Sequence, residues 1–124
     1  MHKGLDVYKG VFVVYNINKS KNEQGGELLN LKEDIIKEII DISKKYDGIK
    51  KVVLFGSRAR GDNELRSDID LAIYCDSDLS LFIEDVENNT HTLLEFDFSN
   101  MNNICDEFFI EQVEKEGIIL YEKC

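Results

Sequence analysis

The chain has 124 residues, 43% of them hydrophobic and 10% aromatic, enough for one globular core but not for separate catalytic and substrate domains. Its 25 acidic and 15 basic residues give a net charge of −10, which argues against holding long DNA or RNA, since that needs a basic face. No apolar run approaches the length of a membrane span, and Gly10-Val11-Phe12-Val13-Val14-Tyr15 is too short, and lacks the following cleavage site, for a signal peptide.

The charge is uneven. The first thirty residues carry four Lys and three acids, and the remainder eleven basic and twenty-two acidic residues. An acidic body of this kind favours a basic protein partner through faster encounter. Cys75, Cys105 and Cys124 are odd in number and widely spaced, with no zinc pattern or disulfide framework. A reducing, cytoplasmic compartment is the simplest expectation.

Residues 1–27 differ in character from the rest of the chain. Val11 to Tyr15 can form one strand, and Asn16 to Gly26 reads as a polar linker. Two readings stay open. Translation starts at Leu28 or Leu29 from a UUG codon, with Gly25-Gly26-Glu27 a ribosome-binding sequence read as protein; or the segment is an added edge strand or partner-binding arm. Leu31 to Tyr46 then predicts an amphipathic helix, with Ile35, Ile36, Ile39, Ile40 and Ile42 toward the core. Asn30 is the expected N-cap, Glu33 half of a capping box, and Gly48 the stop.

Val52-Val53-Leu54-Phe55 reads as a buried strand. Gly56 tolerates unusual backbone angles, and Ser57 can cap a helix; Ser57 to Arg60 predicts a short helical turn. Ten residues separate Ser57 from Asp68-Ile69-Asp70, and Leu71-Ala72-Ile73-Tyr74 predicts the next strand. Alternation places Asp68 and Asp70 on one face and turns Ile69 and Leu71 into the core. Two adjacent carboxylates repel unless one takes a proton or a cation sits between them. Hard oxygen ligands suit a magnesium ion that also holds substrate phosphates, and a glycine-serine turn can offer N–H groups to a phosphate. Ser57 lacks a neighbouring base, so it reads as a phosphate ligand or cap rather than a nucleophile. Arg58, Arg60 and Arg66 are surface arginines or phosphate ligands; the stronger expectation of function falls on Arg58.

Asp76 to Asn89 predicts an acidic helix with Leu79, Leu81, Phe82, Ile83 and Val86 for packing. Leu93 to Phe98 alternates as a strand, with Leu94, Phe96 and Phe98 on one side and Leu93, Glu95 and Asp97 on the other. Asp106 to Glu116 predicts a helix with Phe108, Phe109, Ile110 and Val113 for packing and Gly117 at C′. Ile118 to Tyr121 is a terminal strand, and His91 an ordinary loop or strand residue. The element order predicts an α/β domain, a mixed sheet flanked by helices.

Gly56-Ser57-Arg58-Ala59-Arg60-Gly61 with Ser67-Asp68-Ile69-Asp70-Leu71 resembles the signature of the minimal nucleotidyltransferase (MNT) family, within the polymerase-β-like superfamily. The resemblance runs from about Leu31 to Lys123 and makes 28–124 the nucleotidyltransferase domain. It implies the polymerase-β-like palm, with the active site along one exposed sheet edge. It implies Asp68 and Asp70 as magnesium ligands, with Asp97 as third carboxylate on a later strand and Glu95 as its competitor. Gly56, Ser57 and Arg58 would bind the nucleotide. Two Mg2+ ions and ATP as substrate are implied, as is a cognate HEPN-domain toxin as partner, whose tyrosine would receive AMP. A non-catalytic antitoxin and an antibiotic nucleotidyltransferase stay as alternatives.

Overall fold

The computed structural model describes residues 31–123 together with two short strands near the start, β1 (Val7–Tyr8) and β2 (Val11–Phe12). The expectations for Asn30, for Val13 to Gly26 and for Cys124 lie outside the described residues. Two apolar runs of β-branched and aliphatic residues make the centre of a sheet. They are β3 (Ile49–Phe55) and β4 (Ile69–Cys75), antiparallel, with Val52 opposite Ile73, Leu54 opposite Leu71 and Phe55 opposite Asp70. On the other side of β3 lies β6 (Ile118–Lys123), also antiparallel. Beyond β4 lies β5 (Phe96–Asn100), which is parallel to it. The full order is β1-β2-β6-β3-β4-β5.

Antiparallel β3 and β4 are joined through a short helix, α2 (Ser57–Arg60), and a loop. Parallel strands need a longer crossover, which α3 (Ser80–Asn89) provides between β4 and β5. The other helices are α1 (Glu33–Ser43) and α4 (Glu107–Glu116).

Alternation along the strands divides the core into two layers. On one face Val52, Leu54, Leu71 and Ile73 meet α1 and α3, including Ile36, Ile39, Phe82 and Val86. Leu94, Phe96 and Phe98 pack against this cluster, as their spacing predicts, while Leu93 is exposed. On the other face Val53 and Ala72 meet Val113 of α4 and Met101 of a 3-10 turn. Phe55 and Phe109 join them, with ring centroids 5.4 Å apart, edge to face.

Several local expectations change. Helix α1 is shorter than its apolar pattern suggests: Lys32 is the N-cap, without a side-chain cap, so no capping box forms with Glu33. It stops at Ser43, before Gly48. Leu81 and Phe108 are exposed rather than packed; both sit near helix starts, where the apolar stripe has turned away from the sheet. Gly117 closes α4 in an extended conformation, not in the left-handed one a C′ glycine usually supplies. Its role is steric: a Cβ there would come 2.4 Å from the Val113 carbonyl oxygen and 2.4 Å from Val53 Cγ1.

Asp85, within α3, ties that helix to the segment that follows α1. Its carboxylate accepts from Tyr46 Oη at 2.7 Å and Asn89 Nδ2 at 2.7 Å, and pairs with Lys45 Nζ at 2.8 Å. These donors, Lys45 first, hold the Asp85 carboxyl down at about 2. Among the described residues no helix is long and apolar enough to cross a membrane.

Candidate active site

The site is built where β3 ends and β4 and β5 begin. Gly56 follows β3 with φ of 79° and ψ of −155°, a combination that side chains make costly. It is the N-cap of α2, and Ser57 is the first helical residue; no side-chain cap forms, so the capping role expected of Ser57 is not taken up. Glycine is needed here for a second reason: a Cβ on Gly56 would stand 2.3 Å from Asp70 Oδ2. The turn and the carboxylate touch.

Asp70 is the second residue of β4, on the face it shares with Ala72 and Tyr74. Parallel pairing sets Asp97 directly beside it on β5, as Ile69 sits beside Phe96. Asp68 stands one residue ahead of β4, where the ladder has not begun, and is exposed. Glu95 likewise precedes β5; its carbonyl accepts from the Ile69 N–H at 2.8 Å. Burial first, then the charges of Asp97 and Asp68, raise the Asp70 carboxyl above its ordinary value, and Arg60 and Arg58 partly offset them. Asp68 and Asp97 therefore both act on the charge of Asp70.

Among the described residues no three His, Cys, Asp or Glu side chains are gathered tightly enough to enclose an ion. Asp68 and Asp97 are exposed, and Asp70 is half-buried. The donor set is all carboxylate oxygen, with Asp70 and Asp97 fixed by strand register and Asp68 one residue ahead of it, which fits a hard divalent cation.

Arg58 reaches the loop that precedes β4. It is buried, 5% exposed. Its Nε and Nη2 donate to the Ser67 carbonyl at 3.1 and 2.9 Å, and Nη2 donates to the Leu65 carbonyl at 3.1 Å. Burial lowers the guanidinium from its ordinary value, while the charge of Asp70 acts the other way. Arg58 thus fastens the loop that delivers Asp68. The clue in the sequence was the loop itself, whose inward carbonyls need donors from somewhere. Arg60 is more exposed and is held by Asp62 and by Glu116 at the end of α4, each at 3.1 Å. Arg66 is exposed. His91 lies in a loop and pairs with Glu38, through its ring and through its N–H, well apart from the aspartates in role. The free thiols of Cys75 and Cys105 are buried and exposed, respectively.

A cavity of about 620 Å³ lies away from the aspartates. It lies at the opposite ends of β4 and β5, lined by residues that include Cys75, Asp78, Ile83, Phe98 and Asn100.

The chain is similar to known proteins over this region. It is 50% identical over 54 residues to a protein of Methanocaldococcus jannaschii named, provisionally, as a protein adenylyltransferase; the match covers 42% of this chain and 54% of that one, so the chain spans about half the length of this curated relative. Among solved structures, a chain of a toxin–antitoxin with AMP-PNP superposes with a TM-score of 0.59 at 19% identity, covering 71% of this chain and 73% of that one. A toxin–antitoxin MntA–HpeT variant, with two aspartates two residues apart changed to glutamate, gives 0.58 at 18% identity, with the same coverage. At such identities the likeness is one of fold. The family model described as "Polymerase beta, Nucleotidyltransferase" matches residues 37–124, from within α1 through β6 and across every residue of the site. The chain belongs to the polymerase-β nucleotidyltransferase family.

Proposed function

We propose that the protein is a magnesium-dependent nucleotidyltransferase that moves AMP from ATP to a tyrosine of a cognate HEPN-domain toxin, acting as that toxin's antitoxin in the cytoplasm. The observation that carries this reading is the register of β4 and β5, which sets Asp97 beside Asp70 with Gly56 against the Asp70 carboxylate. The names of the relative and of the structural neighbours, a protein adenylyltransferase and toxin–antitoxin assemblies, point the same way. So does the acidic body, which suits a basic protein partner rather than nucleic acid.

Each part of the site has a task. The turn at Gly56 and Ser57 binds the β- and γ-phosphates, with the first amides of α2 having no acceptor inside the helix. Arg58 holds the loop that sets Asp68, and through it the geometry at the nucleotide. Asp68, Asp70 and Asp97 would hold two Mg2+ ions, which would stabilise charge on the attacking and leaving oxygens. The acceptor hydroxyl, with an ordinary pKa of about 10, gives its proton to Asp97 as its oxygen bonds the α-phosphorus. The bond from that phosphorus to the bridging oxygen breaks, and pyrophosphate leaves with the electron pair.

The test is transfer of label from α-labelled ATP to the purified toxin encoded beside the gene, with Mg2+ present. Asp68→Ala and Asp70→Ala should each abolish labelling while leaving a folded protein, and the label should map to tyrosine. Labelling that survives both changes would refute the assignment. Neutralisation of the toxin without labelling would instead indicate an antitoxin that works by binding.

A further inference from the structure

We propose that the open edge of β5 receives an extended, tyrosine-bearing segment of the acceptor protein as an added strand, with basic residues flanking the tyrosine. This rests on the nucleotidyl-transfer reading above and identifies how the second substrate is held.

Among the described residues, strand β5 ends the sheet. In a parallel ladder, alternate residues turn both peptide groups toward the neighbour. The Ile69 N–H donates to the Glu95 carbonyl at 2.8 Å and Ile69 stands beside Phe96, so Asp97 and Ser99 are the residues of β5 bonded toward β4. The N–H and C=O groups of Phe96 and Phe98 face outward. Among the described residues no strand pairs with them.

Exposed edges are commonly blunted by lysine, proline or a bulge. The run Phe96-Asp97-Phe98-Ser99-Asn100 has no lysine and no proline. Its register with β4 is unbroken, whereas β3 has an irregularity against each of its neighbours. The edge is a template for strand addition, a common mode of peptide capture.

Chemistry supplies the direction. In an in-line displacement the leaving group and the attacking oxygen lie on opposite sides of the phosphorus. The phosphate turn belongs to the end of β3, Asp70 to β4 and Asp97 to β5, in that order across the sheet. With pyrophosphate on the β3 side, the acceptor oxygen arrives from the β5 side, where the sheet stops. A strand laid along β5 places its side chains over the same face as Asp97. Further along, the cavity of about 620 Å³ bordered by Phe98 and Asn100 gives room for its other side chains. Acids lie at both ends of the track, Asp68 and Glu95 near the site and Asp76 and Asp78 at the cavity. A segment with lysine or arginine on both sides of its tyrosine complements them.

The experiment uses the whole protein with MgATP and the peptide Lys-Thr-Val-Tyr-Val-Thr-Lys, alongside two versions N-methylated at alternate residues, one for each parity. Amide exchange is followed at Phe96 and Phe98, and label transfer is followed in parallel. The expected result is protection of these amides by at least about fivefold, kept with one methylated version and lost with the other, because only one parity faces the edge. Exchange that is unchanged by the peptide overturns the proposal, whether or not label is transferred. Equal behaviour of the two methylated versions overturns it as well. Protection with the expected parity but no transfer supports the docking edge and counts against nucleotidyl transfer, so the two readings fail separately.

Discussion

Gly56→Ala should damage fold and site together, through two separable costs. The first is backbone: φ of 79° with ψ of −155° is a region populated almost only by glycine, and forcing another residue there costs roughly 1–3 kcal/mol. The second is steric. The new methyl would stand 2.3 Å from Asp70 Oδ2, so the carboxylate must rotate away, at roughly 0.5–1.5 kcal/mol for an off-rotamer side chain. The sum, about 1.5–4.5 kcal/mol, leaves a folded protein if its stability is in the usual range of about 5–15 kcal/mol. Urea denaturation measures it. The decisive comparison repeats Gly56→Ala in an Asp70→Ala background, where the rotating carboxylate is gone and the penalty should fall by roughly 0.5–1.5 kcal/mol. In the wild-type background, label transfer should drop by more than about tenfold because Asp70 is displaced. An identical penalty in both backgrounds would show that the glycine does not make room for Asp70.

Arg58→Met should cost about 2–4 kcal/mol, since it strands loop carbonyls that are now paired. Amide exchange at Ser67 and Asp68 should quicken; unaltered exchange would mean the loop holds itself. Asp97→Asn should lower transfer by about 100-fold or more, whereas Glu95→Gln should change it by less than about threefold; equal losses would move the third-carboxylate role to Glu95. The Asp85 carboxyl sits at about 2, below its ordinary 3.8, so its ion pair stabilises the fold above about pH 4 and loses that contribution as pH falls toward 2. With Lys45 half-exposed, the contribution should be about 1–2 kcal/mol. The urea-midpoint gap between wild type and Asp85→Asn should therefore close on acidification, and a constant gap would show that the charge on Asp85 is not its source.

Much of this architecture was legible because its strands are short, apolar and clearly bounded. Val52 to Phe55 and Leu71 to Tyr74 appear as strands, each longer by a few residues than its apolar run, since ladder bonds do not require an apolar side chain. The helices were found, but their packing was less visible. Leu81 and Phe108 look like core residues by composition, and only the direction in which each helix meets the sheet leaves them in solvent. The motif aspartates were legible from spacing, while their proximity to Asp97 depends on a parallel register that no local pattern specifies. The charge of Arg58 suggests a ligand outside the chain, and spacing gives no sign that it also donates to the carbonyls of Leu65 and Ser67. Gly117 ends the last helix as expected, but in an extended conformation that leaves space for Val53.

The two layers of the core are unequal, and the aspartates stand on the thinner one. Cohesion comes mainly from the side that α1 and α3 cover, so the reactive side can drift without threatening collapse. A lineage can exchange one acceptor for another, or lose transfer altogether and keep only its grip on a partner, by changes confined to a surface on which little else depends. Randomising the exposed positions of each side in turn, and counting the folded survivors, would measure that latitude.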